Sequence, residues 1–282
     1  MTTVAVNGLR LHVERAEHAG SGPPLLLLHG FTGSCVAWAP QVAAFGRCFD
    51  VVAVDLIGHG RSDAPSDPER YRMEPAVADL VALLDRLEIA RAAVLGYSMG
   101  GRVALHLALA APERVSALVL ESASPGIDDP AERVARVRSD EALAARIERD
   151  GVEPFVDYWE RIPLFASQAR LPAEVWERQR AQRLAGSPVG LANSLRGMGA
   201  GAMAPVGARL GELCMPLLLV VGQLDVKYVG LGRGMVEALP SARLEIVPNA
   251  GHTVHLEQPA AFEQIVMGFL EDVGRRTGHG AG

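Results

Sequence analysis

Hydrophobic residues recur along the chain in short, nearly unbroken runs that end at Gly, Asp or Ser. Continuous apolar runs of this length are typical of strands covered on both faces, as in a parallel sheet. The runs that we predict to be strands are Val4–Val13, Leu25–Leu28, Val51–Val54, Ala92–Leu95, Ala117–Leu120, Leu217–Val221 and Leu244–Val247.

Between these runs, the apolar positions follow helical spacing. The segment Pro75–Leu87 repeats apolar residues every three or four positions, as an amphipathic helix does. Gly101–Ala111 is rich in Ala and Leu and stops before Pro112, where a helix usually ends. Alternating strands and helices predict an α/β fold: a mostly parallel, twisted sheet with helices on both faces.

The alternation stops after Ser122. Residues 127–208 carry only helix-like segments interrupted by prolines, and strand-like sequence resumes afterwards. We therefore predict a core of residues 1–126 and 209–282 and a helical cap of residues 127–208. Because ligands bind at the carboxyl edge of open α/β sheets, we expect the cap to cover that edge. The alternative is a structural excursion unrelated to any site.

Composition narrows the class of protein. The chain has 282 residues, of which 49% are hydrophobic and 21% charged, as expected for one large domain with an insertion. The formal net charge is −6, and no Lys- or Arg-rich block occurs, which argues against a nucleic-acid partner. Its start lacks the features of a secretory signal, and no apolar stretch is long enough for stable membrane insertion.

The three cysteines also inform the prediction. Cys35, Cys48 and Cys214 are odd in number, widely separated and without the spacing of a metal site. We therefore expect reduced thiols in a cytoplasmic protein and predict no metal site. The sequence also shows no glycine-rich nucleotide loop, so we predict no organic cofactor. A monomer and a homo-oligomer both remain open.

The pentapeptide Gly96-Tyr97-Ser98-Met99-Gly100 joins a predicted strand to a predicted helix. This is the context of a nucleophile elbow, in which glycines let strand and helix pack closely around a strained serine. The serine hydroxyl is thereby held clear of the sheet. The alternative is that Ser98 merely caps the helix. The order of strand, motif and helix, followed by Gly101, favours the nucleophile.

A serine hydroxyl needs an imidazole to take its proton and a carboxylate to orient the imidazole. In this fold the chain order is Ser, acid, His. Asp225 follows the predicted strand Leu217–Val221, and His252 follows the next one, so both should lie beside Ser98. We expect Ser98, Asp225 and His252 to form a catalytic triad in an α/β-hydrolase fold, with His255 as a weaker candidate.

A second set of groups should surround the serine. The backbone N–H groups of Phe31 and Met99 are expected to form the oxyanion hole, with Gly30 allowing the tight turn. His29 is better explained as a structural hydrogen-bonding group beneath the site than as a catalytic base. Asp55 more plausibly anchors the Gly-His-Gly turn that follows it.

From about Leu25 to Phe269, the chain resembles the 2-succinyl-6-hydroxy-2,4-cyclohexadiene-1-carboxylate synthase family, lyases of the menaquinone pathway. Motifs that many relatives share are His29-Gly30-Phe31-Thr32-Gly33, Asp55-Leu56-Ile57-Gly58-His59-Gly60-Arg61-Ser62 and Gly96-Tyr97-Ser98-Met99-Gly100-Gly101-Arg102-Val103-Ala104. More specific matches are Arg136 with Arg138-Ser139-Asp140, Trp159 with Pro163-Leu164-Phe165, Arg183 with Gly190-Leu191-Ala192, Met198-Gly199 and Asp225-Val226-Lys227-Tyr228. A serine at the elbow disfavours haloalkane dehalogenases and epoxide hydrolases, which need a carboxylate nucleophile.

Arg102 stands one helical turn beyond Ser98 and so rises on the same helix face. A guanidinium there suits a carboxylated small molecule better than a neutral acyl ester. The resemblance implies that Arg102, Arg136 and Arg183 clamp the substrate carboxylates, with Tyr97 and Trp159 lining the pocket. The alternative is that these arginines are merely solvated.

The resemblance implies elimination of pyruvate without a cofactor, with Ser98 as the base. Segment 201–207 departs from the family pattern, which expects a Gln-Pro pair and a Trp there. The main alternative function is a carboxylesterase or other serine hydrolase acting on small acyl esters or carbon–carbon bonds, with the same triad. A noncatalytic ligand-binding protein on a hydrolase scaffold is the second alternative.

Overall fold

The computed structural model describes residues 2–16, 22–239 and 241–278, and its strands form one eight-stranded sheet. The strands are β1 (Thr2–Val6), β2 (Leu9–Ala16), β3 (Pro24–Leu28), β4 (Asp50–Val54), β5 (Ala92–Tyr97), β6 (Val115–Glu121), β7 (Leu217–Gly222) and β8 (Arg243–Val247). They lie in the order β1-β2-β4-β3-β5-β6-β7-β8. β2 is antiparallel to both neighbours, and the other pairs are parallel, which confirms the mostly parallel sheet.

The prediction of one strand over Val4–Val13 was wrong, because the segment folds into a hairpin of β1 and β2. Asn7 and Gly8 form the turn with φ of 45° and 84°, and Val6 pairs with Leu9. Two consecutive residues with positive φ are what a tight two-residue hairpin requires, and Asn-Gly is the preferred pair. The remaining predicted strands are confirmed, with ends that shift by at most a few residues.

Helices separate the parallel strands, as the alternating pattern predicted. The α-helices are α1 (Ala39–Phe45), α2 (Met73–Arg86), α3 (Met99–Ala110), α4 (Pro130–Asp150), α5 (Val152–Trp159), α6 (Ala173–Leu184), α7 (Pro188–Met198), α8 (Val226–Ala238), α9 (Val254–Glu257) and α10 (Pro259–Gly278). Short 3-10 helices cover Cys35–Trp38, Pro68–Tyr71, Pro112–Arg114, Pro163–Arg170 and Gly207–Glu212. None of the helices in the described part of the chain could cross a lipid bilayer.

Each face of the sheet has its own hydrophobic core. Because side chains alternate along a strand, Leu26 and Leu28 of β3 join the core that packs against α2 and α3. Leu25 and Leu27 face the opposite core, which contains aromatic side chains. The aromatic members of that second core are Trp38, Phe45, Phe49, Phe262 and Phe269. The inner strands β3, β4, β5, β6 and β7 are therefore largely buried on both faces, which explains their nearly unbroken apolar sequences.

The segment between β6 and β7 contains helices and no strand, as predicted. Helices α4, α5 and α7 share a separate apolar cluster that includes Ile147, Phe155 and Leu191. Phe31, from the loop after β3, packs against this cluster. The helical segment therefore has its own small core and covers the loop after β3. The boundaries of the cap at residues 127 and 208 remain a prediction.

Candidate active site

Ser98 lies in the sharp turn between β5 and α3. Its backbone has φ 51° and ψ −107°, a combination that non-glycine residues rarely adopt and that close packing must hold in place. A Cβ atom at Gly96 would overlap the backbone of Gly100, and one at Gly100 would overlap the backbone oxygen of Leu28. The Ser98 N–H also donates to the Glu121 carbonyl at 2.8 Å. These contacts fix the position of the serine at the carboxyl edge of the sheet.

The structure brings Ser98, His252 and Asp225 together. His252 Nε2 lies 3.0 Å from Ser98 Oγ, and His252 Nδ1 lies 2.7 Å from Asp225 Oδ2. Because ionised Asp225 can only accept, Nδ1 donates to it and Nε2 is left to accept the serine proton. His252 and Asp225 are both buried and follow β8 and β7, as the sequence predicted. The arrangement can activate the Ser98 oxygen as a base or nucleophile. The catalytic role of the three residues stays a prediction.

The predicted oxyanion-hole residues flank the serine. Met99 is the first residue of α3, so its N–H has no acceptor within the helix. Phe31 lies in the loop after β3, next to Gly30. A Cβ at Gly30 would lie 2.6 Å from Tyr97 Cε1, so only glycine lets this loop approach the elbow. Phe31 lines the same cavity as Ser98 and Met99.

His29 and Asp55 have structural roles, as predicted. His29 Nδ1 donates to the Gly30 carbonyl at 2.8 Å, and Nε2 accepts the Leu56 N–H at 3.0 Å, which fixes a neutral ring. Burial lowers the pKa of His29, which keeps the ring neutral. Asp55 accepts from the Arg61 N–H at 2.8 Å and so anchors the Gly-His-Gly turn. His255, the weaker base candidate, instead contacts buried Glu121 at 2.8 Å.

A cavity of about 350 Å³ opens above Ser98, between the sheet edge and the helices that follow β6. Its aromatic walls are formed by Phe31, Tyr97, Tyr158, Trp159, Phe165 and Tyr228. Two cationic side chains, Arg102 and Arg136, also line it. An apolar cavity with a few charged groups beside a nucleophile suits a small organic acid.

Arg102 is buried but has no ion-pair partner among the residues that the structure describes. Its Nη2 donates to the Met198 carbonyl at 3.0 Å, while its buried Nε lacks a hydrogen-bond partner within the described ranges. Burial lowers the pKa of Arg102, but a guanidinium keeps its charge in a protein. A buried, unpaired cation is costly, so the site favours an anionic group in the cavity.

Arg136 lines the cavity but already has a carboxylate partner. Its Nε lies 2.8 and 2.9 Å from the two oxygens of Asp140, one helical turn further along α4. Burial raises the pKa of Asp140, while Arg136 opposes this shift. Arg136 is therefore in position for a substrate carboxylate but would share its charge with Asp140.

The structure does not place Arg183 on the wall of the Ser98 cavity. Arg183 is buried in an ion pair with Glu160, at 3.2 Å, and its guanidinium lies 5.2 Å from the centroid of the Phe165 ring. It lines a neighbouring cavity of about 450 Å³ that is separated from the first one by Ile162 and Phe165. The predicted contact between Arg183 and the substrate therefore has no support from this arrangement.

The predicted aromatic pair does line the cavity. The Tyr97 hydroxyl lies 2.7 Å from Thr253 Oγ1, and burial raises the pKa of Tyr97, so this phenol stays protonated. Trp159 packs edge-on against Phe31 at 5.3 Å, and its buried Nε1–H has no acceptor in the described part of the chain. A ligand oxygen in the cavity could accept that N–H.

Two aromatic residues of the site, Tyr228 and Phe165, were not predicted as site residues from the sequence. The Tyr228 ring lies 4.6 Å from the His252 ring, and Phe165 lies 6.1 Å from it. Both belong to segments that match the family pattern, Asp225–Tyr228 and Pro163–Phe165, which was the available signal. The departing segment 201–207, by contrast, contributes no residue to the cavity wall.

Comparison with known proteins identifies the family of the chain. Residues 23–259 match the model of the alpha/beta hydrolase fold family. A protein of Bacillus subtilis (strain 168) with the provisional name 2-succinyl-6-hydroxy-2,4-cyclohexadiene-1-carboxylate synthase is 44% identical over 91% of this chain and 93% of its own. The enzyme of that name from Serratia proteamaculans (strain 568) is 32% identical over 89% of this chain and 94% of its own. The chain belongs to this synthase family of the alpha/beta hydrolase fold.

Solved structures of similar shape include proteins with different activities. The structure of MenH from S. aureus matches with a TM-score of 0.90 at 34% identity, covering 93% of this chain and 99% of that chain. The enol-lactonase from Burkholderia xenovorans LB400 matches with a TM-score of 0.84 at 28% identity, covering 96% of this chain and 100% of that chain. A thermophilic esterase from Thermogutta terrifontis matches with a TM-score of 0.82 at 29% sequence identity, covering 97% of this chain and 97% of that chain. Since the fold hosts several reactions, the pocket must decide the chemistry.

Proposed function

We propose that this member of the synthase family eliminates pyruvate from 2-succinyl-5-enolpyruvyl-6-hydroxy-3-cyclohexene-1-carboxylate. The product is 2-succinyl-6-hydroxy-2,4-cyclohexadiene-1-carboxylate, and the pathway is menaquinone biosynthesis. The observation that carries the proposal is the buried Arg102 guanidinium, which lines the Ser98 cavity without a carboxylate partner in the described residues. The identity of 44% to the Bacillus subtilis relative supports the same activity. We place the reaction in the cytoplasm.

Electrostatic attraction between the substrate carboxylates and the arginines of the cavity drives binding. The substrate carries ring, succinyl and enolpyruvyl carboxylates, and Arg102 offers a desolvated guanidinium that can bind one of them in bidentate fashion. Arg136 supplies a second, partly neutralised cation on the same wall. The aromatic side chains of the cavity cover the ring and exclude water, which strengthens the charge–charge contact. This positioning holds the acidic ring proton near Ser98 Oγ.

The Ser98 oxygen removes the ring proton as the hydroxyl proton passes to His252 Nε2 across 3.0 Å. Asp225 stabilises the imidazolium through the contact with Nδ1. The electron pair of the broken C–H bond forms a double bond between ring carbons 2 and 3. The existing ring double bond shifts to carbons 4 and 5, and the C–O bond at carbon 5 breaks to release enolpyruvate. The proton on His252 can return to the leaving group, which becomes pyruvate, so the reaction balances without a co-reactant.

Negative charge develops on the succinyl carbonyl while the proton leaves. The backbone N–H groups of Phe31 and Met99 are the donors that we assign to this oxygen. Preorganised donors of this kind contribute about 3–4 kcal/mol each to transition-state stabilisation in related sites. The N–H groups of Phe31 and Met99 could equally stabilise the oxyanion of ester hydrolysis, so they do not distinguish a lyase from a hydrolase.

A carboxylesterase is the second candidate function. The observation in its favour is the shared triad geometry together with the likeness to an esterase of 29% identity. A neutral acyl ester would, however, leave Arg102 with a neutral carbonyl as its hydrogen-bond partner and without a direct anionic partner in the cavity. The pocket therefore favours the lyase.

Product analysis of the purified protein separates the two reactions. With the enolpyruvyl substrate, we expect release of one pyruvate per substrate, measured by a coupled lactate dehydrogenase assay against a protein-free blank. With p-nitrophenyl acetate, we expect only slow hydrolysis. Rapid ester turnover without any pyruvate would contradict the lyase and support the esterase. Ligand binding without either product, and no labelling of Ser98 by a fluorophosphonate, would support a noncatalytic protein.

A further inference from the structure

Three side chains that can bind metals meet on the face of β2 that is turned toward Cys35. His12 and Glu14 lie two residues apart on β2, which directs both side chains to one face of the strand. Cys35 opens the 3-10 helix Cys35–Trp38. One ligand atom from each of the three residues lies within 4.8 Å of the others. The geometry points to a site for a thiophilic transition-metal dication, such as Zn²⁺, at His12, Glu14 and Cys35.

The His12 ring is the observation that most strongly indicates a ligand. His12 is 4% exposed, and its Nε2 has no hydrogen-bond partner among residues 2–16, 22–239 and 241–278. This atom lies 3.7 Å from Glu14 Oε1, too far for a hydrogen bond. Ligands at about 2.0–2.3 Å from a tetrahedral zinc ion are roughly 3.3–3.8 Å apart, so the spacing of 3.7 Å between these two atoms is close to that of a metal site.

The donor set matches the charge and softness of a dication such as Zn²⁺. A thiolate and a carboxylate neutralise a 2+ ion, and the imidazole is neutral, so the metal and its three ligands together carry no net charge. Thiolate and imidazole favour Zn²⁺ and Co²⁺ over Mg²⁺ and Ca²⁺. The thiolate is the ligand form of cysteine, so metal binding releases the Cys35 thiol proton to solvent as the S–metal bond forms.

The position of the site gives it a structural consequence. The Cys35 N–H donates to Asp55 Oδ1 at 2.6 Å, and Cys35 follows Phe31 by four residues. A bound metal would tie this segment, which also supplies the proposed oxyanion donor, to β2. The inference does not depend on the reaction at Ser98. The sequence predicted no metal site, because the ligands come from two separate elements without a recognised spacing.

Cobalt titration tests the site directly. Untagged protein is stripped with a chelator, and Co²⁺ is added while the visible spectrum is recorded. We expect one equivalent of Co²⁺ to bind with a thiolate-to-cobalt charge-transfer band. Zn²⁺ should displace Co²⁺ and raise the Tm of the stripped protein, because it binds only the folded state. A Cys48→Ser/Cys214→Ser background, in which Cys35 is the one remaining thiol, should retain the band.

Two further variants make the test decisive. In the Cys48→Ser/Cys214→Ser background, Cys35→Ser should abolish the charge-transfer band. Glu14→Gln should weaken Co²⁺ binding at least about tenfold, because even the loss of a residue that only supports a metal ligand weakens metal binding by that much. Absence of the band in the parent protein, or its survival in Cys35→Ser, overturns the proposal. If Cys35→Ser does not fold, Glu14→Gln decides, and an unchanged Co²⁺ affinity contradicts the site.

Discussion

At the scale of single residues, the three arginines named from the sequence differ in how their charge is compensated. Arg183 is neutralised by Glu160, and Arg136 is paired with Asp140. Arg102 instead donates to the Met198 carbonyl, a neutral acceptor, and has no carboxylate partner in the portion of the chain that is described. Because an unpaired buried cation gains most from a substrate anion, Arg102 is the residue that should determine specificity.

We therefore expect Arg102→Met to lower kcat/KM for the carboxylated substrate by about 10–100-fold, the size of one charge-assisted hydrogen bond of roughly 1.5–3 kcal/mol. Methionine keeps much of the side-chain length while removing the charge. The rate of p-nitrophenyl acetate hydrolysis by the same variant should change less than about threefold, because this neutral ester has no carboxylate for Arg102 to bind. Equal losses with both substrates would show that Arg102 only supports the fold. Arg102→Lys should retain part of the activity.

The meeting of Ser98, Asp225 and His252 could be predicted because each lies in the loop that follows a strand, which is a purely local signal. Ser98, Asp225 and His252 then meet at one sheet edge as a consequence of parallel strand order. The pairing of Arg183 with Glu160 could not be predicted in this way. The two residues are 23 positions apart on different segments, and only the packing of α5 against α6 brings them together.

At the scale of elements, the elbow depends on two glycines that let β5, α3 and β3 approach each other. The sequence predicted this contact because glycine, unlike other residues, tolerates such close backbone approach. The hairpin of β1 and β2 was not predicted, because the apolar residues on both sides of Asn7-Gly8 suggested a single strand. Asn7-Gly8 is nevertheless a strong turn signal. Turn chemistry should have outweighed hydrophobicity there.

Alanine substitutions in two helices test the close packing of the elbow. Gly100→Ala in α3 places a methyl group against the Leu28 carbonyl and should lower the free energy of unfolding by roughly 2–3 kcal/mol. Gly234→Ala in α8 is the matched control, because a Cβ there meets no atom within 4 Å. The control should be stabilised by about 0.5–1 kcal/mol, the helix preference of alanine. Similar effects of both changes in urea unfolding would contradict this account.

At the scale of the whole molecule, core and helical segment meet around the pocket through specific contacts. Arg102 donates to Met198 at 3.0 Å, and Gln168 donates to Thr253 at 2.9 Å. Beneath these contacts, His29 and His59 are buried with ring centroids 5.1 Å apart. Burial lowers the pKa of His59 to about 3 and also lowers that of His29. Protonation of either buried ring would therefore destabilise the fold.

Stability should consequently decrease in mild acid. The unfolded chain protonates its histidines below about pH 6.5, whereas His59 stays neutral in the folded protein down to about pH 3. Unfolding therefore takes up protons in that interval. Each such histidine should lower the free energy of unfolding by about 1.4 kcal/mol for every pH unit below about pH 6.5. Urea titrations at pH 7, 6 and 5 measure this slope. His59→Gln should flatten it, and an unchanged slope would contradict the assignment.

The most direct test of the central claim compares pyruvate release by the wild-type protein and by Ser98→Ala. The claim is that the Ser98 hydroxyl, coupled to His252, takes the ring proton of the enolpyruvyl substrate. Removal of a positioned general base costs about 10²–10⁴-fold, so we predict a fall in kcat of at least about 100-fold with an unchanged Tm. A Ser98→Ala protein that releases pyruvate within a few-fold of the wild-type rate would contradict the account.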